Sequence, residues 1–164
     1  MPNANAVVDS VSSLSSPLAE VREARRAKPA SPSVTVRFKS GQSGVLDMSQ
    51  PRSVVWAEVL HSMREANQPA YVEIDPVTNL ITELLCPVVV QVGELRETNS
   101  GAEVELIVSH ARHYLQRARP DFRALLDALK NARRQESTVI VTETDDHQII
   151  DVRPTNVPRT SKRK

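Results

Sequence analysis

The chain has 164 residues, 40% of them apolar and 25% charged, and a formal net charge of +1. This is the composition of an ordinary soluble globular protein with room for about one domain. No apolar run approaches the length of a membrane-spanning helix, and no basic-then-apolar leader opens the chain. One cysteine, Cys86, excludes an internal disulfide and argues against a Cys-based zinc site. With four glycines there is no GxGxxG and no GxxxxGK[ST], so neither phosphate-cradling loop is present. A cytoplasmic location is the expectation.

In chain order, residues 1–32 are rich in Ser, Ala, Asn and Pro and read as a flexible tail. Ser16-Pro17-Leu18 is a helix-start pattern, which predicts a short basic helix to Lys28 inside it. The globular part is expected at 33–154. Val34, Val36 and Phe38 alternate with Thr35 and Arg37, the period of a half-buried strand. Gly41 to Gly44 form a turn, and Val45 to Met48 the returning strand. Ser53 is expected to cap a helix reaching Asn67, with Val55, Val59 and Met63 at helical spacing and Trp56 and Leu60 widening the apolar face. Strands are predicted at Tyr71–Ile74 and Leu80–Leu85, joined by the turn residues Asp75-Pro76.

The order then recurs. Val88–Leu95 and Val104–Val108 read as strands. Pro120-Asp121 opens a second helix with Phe122, Leu125, Leu126 and Leu129 on one face. Strands follow at Val139–Val141 and Ile149–Val152. The fold class is therefore α+β: two strand-strand-helix-strand-strand units, 33–87 and 88–154, forming one strand-rich sheet or a barrel-like core with two helices. The halves overlay at a shift of 67 residues, Val72 on Val139 and Ile74 on Val141. Residues 155–164 read as a basic, disordered tail. Under this overlay the second half carries an insertion, Ser109–Arg119, between its second strand and its helix.

Charge is unevenly spread. Glu58–Ile107 holds nine acids and two arginines, whereas His110–Arg134 holds seven Lys/Arg and two Asp. The candidate binding residues are those of the insertion and just beyond it: His110, Arg112, His113, Tyr114, Arg117, Arg119 and Arg123. Guanidinium and imidazolium groups bind anions by charge-assisted hydrogen bonds, and Tyr114 offers a stacking face. The bland reading is a solvated basic loop. No cofactor is implied.

Three functions are carried forward. The first is a non-enzymatic binding or adaptor protein working through protein contacts, self-association among them, with the opposed acidic and basic stretches as its motive. The second is a nucleic-acid-binding protein using the basic 110–134 surface and the C-terminal tail. The third is a metal-dependent enzyme using His110, His113 and His147 as ligands, with Asp145 and Asp146 nearby. HxxH without an accompanying Glu is not a metalloprotease pattern, and Asp145-Asp146 also suits a plain hairpin turn. Cys86 reads as a buried, inert thiol. Trp56 reads as core, or as a partner anchor if it lies at the edge of the helix face.

Overall fold

The computed structural model describes residues 5–15, 33–108 and 111–155. The expected helix at 16–28, the tail beyond Thr155, and Ser109 and His110 lie outside the described residues. Two units divide the chain, Asn3–Cys86 and the part from Pro87 onward.

The first unit runs β1 (Ala6–Leu14), β2 (Ser33–Phe38), β3 (Ser43–Asp47), α1 (Pro51–Glu65), β4 (Pro69–Ile74) and β5 (Ile81–Leu85). Its antiparallel sheet has the order β3-β2-β1-β4-β5. The second unit runs β6 (Val88–Glu97), β7 (Gly101–Leu106), β8 (His113–Gln116), α2 (Phe122–Arg134), β9 (Thr138–Glu143) and β10 (Ile149–Pro154). Its sheet has the corresponding order, β10-β9-β6-β7-β8. The fold is thus α+β with two helices and two five-stranded antiparallel sheets.

Neither a single sheet nor a barrel forms. Pro87 cannot donate to a ladder, and after it the chain starts the central strand of a new sheet. Within each sheet the edges meet at one isolated bridge only, Val45 with Leu80 and Tyr114 with Gln148, far short of the continuous ladder a barrel requires.

Two strands escaped the sequence pattern. β1 lies inside the expected N-terminal tail. Its apolar start, Ala6-Val7-Val8, pairs with β4, and its Ser-rich end pairs with β2 across a bulge between Val11 and Ser13. Serines are acceptable there because ladders on both sides hold the backbone. β8 lies inside the expected insertion. It is the counterpart of β3, so the second unit has no extra element; the first had been short of a strand because β1 was read as tail.

The helices show the true offset between the units. α1 buries Ser53, Ala57, Leu60 and Met63 against its sheet. α2 buries Phe122, Leu126, Leu129 and Ala132 at the same steps, together with Leu125. The offset is 69 residues rather than 67. Pro51, not Ser53, opens α1, where a missing N–H costs nothing. Both helices stop alike. Asn67 (φ 52°) and Glu136 (φ 49°) turn left-handed two residues past the last helical residue. Gln68 N then bonds Met63 O, and Ser137 N bonds Ala132 O, in the manner of a Schellman stop. Each unit has its own core. Val34, Val36, Phe38, Leu46, Leu60 and Val72 centre the first, and Val104, Leu106, Leu115, Leu129, Val141 and Ile149 the second.

Candidate functional site

The two sheets curl for the same reason. β1 and β6 each pair with one neighbour along their first half and with another along their second, and a bulge sits at each changeover. Bulges bend a strand and increase its twist. The tip of the last hairpin is thereby carried toward the third strand. In the first unit Val45 N bonds Asn79 O at 2.9 Å; in the second, Tyr114 N bonds His147 O at 2.9 Å. Asn79 and His147 both have φ 61°, a left-handed conformation that Asn and His enter more readily than most residues.

In the second unit this corner is polar. His113 opens β8 opposite Val104, and strand alternation sends its ring inward with Leu115 while Tyr114 and Gln116 face out. Glu143 ends β9, in register with Ile149. His147 arrives on the hairpin tip. Glu143 lies between the two rings: Oε2 is hydrogen-bonded to His113 Nδ1, and Oε1 lies 3.2 Å from His147 Nδ1. The imidazole centroids are 5.1 Å apart at an interplanar angle of 77°. One ligand-type atom from each of the three residues falls within 4.8 Å of the others. His113 is only 2% exposed, and its Nε2 has no hydrogen-bond partner among the described residues. Two imidazole nitrogens and a carboxylate can hold either a shared proton or a borderline divalent metal ion.

In the first unit the corner is apolar. Gly44 stands where His113 does, opposite Val36. Ile74 stands for Glu143, and Asn79 for His147. A Cβ on Gly44 would lie 2.8 Å from Ile81 Cγ1 and 3.1 Å from Ile74 Cδ1. Ile81 has its counterpart in Ile149, so the corners differ at Gly44, Ile74 and Asn79 against His113, Glu143 and His147.

Comparison with protein-family models, with curated proteins and with solved structures finds no match. The site must be read from its own chemistry.

Of the remaining sequence-predicted residues, Arg117 and Arg123 both act, beside Lys130, on the Glu97 carboxylate. Arg112 pairs with Glu103 at 3.7 Å. Arg117 donates to Thr98 O at 2.9 Å and stacks over the Phe122 ring, 4.9 Å from its centroid, tying the β6–β7 turn to the start of α2. Arg119 forms a two-pronged bond with Asp121, both at 2.9 Å, and reaches Ile150 O. Asp121 and its neighbour Asp151 are buried, and Arg153 pairs with Asp151 at 3.0 Å. Burial holds the Asp151 carboxyl above its ordinary range, opposed by the Arg153 bond. Tyr114 and Arg123 face outward. Of the proposed ligands, His113 and His147 meet, and His110 lies outside the described residues. Glu143 was missed. Its only sequence signal is the i, i+4 spacing to His147, which carries no meaning until the hairpin and its tip are known.

One further reading changes, that of Cys86, while Trp56 does pack on a core. Cys86 is exposed rather than buried, with its sulfur 4.0 Å from that of Met63. Trp56 packs partly buried against the first core, with the Arg52 guanidinium 5.0 Å from its ring centroid.

Proposed function

We propose that this is a non-enzymatic binding protein that works through protein–protein contacts, and that it self-associates through α1. The observation that carries the proposal is the outward side of that helix. Val54 and Val55 are 44% and 57% exposed. Val55, Val59, Ser62 and Ala66 follow one another at i, i+4, i+7 and i+11 beside the buried row, and with Met63 they line a shallow groove. Helical spacing of apolar and small residues on a second face suits helix-on-helix packing. The same positions of α2 carry Ala124, Ala128, Asn131 and Gln135, smaller or more polar than the valines of α1. A second copy is the occupant that fits, because its own stripe has the matching period. Run antiparallel about a two-fold axis, such a pair would set Val55 of one copy near Ala66 of the other. Sedimentation velocity at low salt tests this. A wild-type dimer that becomes monomeric on Val55→Glu is the expected result. A wild type that stays monomeric at high concentration overturns it.

One observation favours a second reading, contact with nucleic acid. Arg123, Arg133 and Arg134 face outward on α2, the basic helix of the pair. Oligonucleotide anisotropy should then show binding that weakens steeply with salt and falls further on Arg133→Ala with Arg134→Ala. Absence of binding at low salt removes this reading.

A further inference from the structure

We propose that His113, Glu143 and His147 form a binding site for a borderline first-row divalent metal ion of the Zn(II) type, confined to the second unit. The donors are the right kind, since imidazole with a carboxylate suits Zn(II) and its neighbours, whereas Mg(II) and Ca(II) take all-oxygen sets. They are also close enough. Tetrahedral Zn(II) with bonds of about 2.0–2.2 Å sets its ligand atoms roughly 3.3 Å apart, and the three donors already lie within 4.8 Å of one another. The contraction needed falls on His147, which sits half-exposed on a hairpin tip.

The backbone positions the set. The Tyr114 N to His147 O bond ties the tip to the strand that carries His113, and Gln148 completes the bridge to Tyr114. His113 is fixed by burial and Glu143 by its register with Ile149. Three protein ligands leave at least one coordination position for water or an outside donor.

Packing alone does not account for the cluster. His113 turns Nδ1 to Glu143, and its buried Nε2, on the other side of the ring, has no partner among the described residues. If Nδ1 carries the proton toward Glu143, Nε2 keeps an unsatisfied lone pair; if Nε2 carries it, that N–H has no acceptor. Either arrangement costs stability. The first unit shows that the scaffold does not require it, because Gly44, Ile74 and Ile81 close the equivalent corner with apolar contact alone. Two imidazoles gathered on one carboxylate, where an apolar set serves the same fold, point to a ligand held at the Nδ1 side of His113.

The test uses the untagged full chain, stripped with chelator and titrated with Zn(II) by isothermal calorimetry. The expected result is one ion per chain, bound at least tenfold more weakly by His147→Asn and by Glu143→Gln. His147→Asn places in the second unit the residue that the first carries at Asn79, also at φ 61°, so it should fold even if a His113 substitution does not. His110→Ala should bind as the wild type does. Zn(II) should shift the ring resonances of His113 and His147 and leave those of His61 in place. The proposal is overturned if the wild type takes up no Zn(II), which leaves a carboxylate-bridged histidine pair that clips the hairpin to its strand. It is overturned equally if both variants bind like the wild type, or if His110→Ala abolishes binding that Glu143→Gln retains.

Discussion

The two units share an order of elements, a strand order, a bulge in the central strand and a left-handed helix stop, yet they fill one corner in opposite ways. In the first, Gly44 makes room for Ile74 and Ile81. In the second, His113 stands at the matching position, and Glu143 and His147 gather around it. The backbone hydrogen bond that closes the corner is the same in both. The difference shows that the fold depends on the backbone closure and the helix-facing core, not on the residues at the corner, which are therefore open to a second use.

The comparison breaks first at its core if it is wrong. Leu60 and Leu129 hold matching places, and both are fully buried. Replacing either with Ala should cost about 2–5 kcal/mol. Denaturant unfolding of each variant, followed by a tryptophan signal from Trp56 and by circular dichroism, measures it. Because each unit has its own core, Leu60→Ala should move the Trp56 transition more than Leu129→Ala does. Equal displacement by both would show that the units unfold as one.

The corner gives the next effect. Gly44→Ala pushes a methyl group to within 2.8 Å of Ile81 Cγ1, and overpacking of this kind costs about 1–3 kcal/mol. In an Ile81→Ala background, which lacks Cγ1, adding Gly44→Ala should cost less than it does in the wild type. No loss in the single variant would mean the first corner is looser than its contacts imply.

The helix stops sharpen the comparison further. Glu136 holds φ 49° with an ordinary side chain, while Asn67 tolerates φ 52° and accepts a bond from Lys39 Nζ at 2.8 Å. Glu136→Gly should therefore stabilise the second unit by about 1 kcal/mol, and Asn67→Gly should do less or nothing. A larger gain at Asn67 would contradict the assignment of strain.

The smallest effect is one of pH, at Asp151 of the second unit. The Asp151 carboxyl is held above its ordinary range by burial, so the folded state binds its proton more tightly than the unfolded state. Its contribution to stability therefore falls as pH rises from the usual Asp range through the raised value. Asp151→Asn does not titrate. The melting temperature of wild type minus variant should shrink as pH rises through that window, and a difference that grows would reverse the assigned direction.

Several elements could be read along the chain because their signal is local. Alternation in Val34–Phe38, the helical spacing of Phe122, Leu125, Leu126 and Leu129, and the Asp75-Pro76 turn each need only a few neighbouring residues to be recognised. Both helices and eight of the strands in the structure, β2–β7 with β8 set aside, and β9 and β10, answer to such signals only where the pattern is strong; β1 and β8 do not. Ser10, Ser12 and Ser13 are strand residues because β4 and β2 flank them, and β8 is too short to show a period at all.

The candidate corner follows the same division. His113 and His147 were visible as metal-type residues, but Glu143 read as the end of a strand, and His110 was counted with them on sequence proximity. The α+β class and the two helix faces are legible along the chain, and the recurrence of elements in part, because these arise from side-chain periodicity that the next few residues reveal. The pairing of strands into two sheets, the offset of 69 through the helices and 68 past the last turn, and the joining of two histidines by Glu143 belong to the tertiary structure. Those depend on which strands pair and on where a bulge bends them, and the partners lie tens of residues apart.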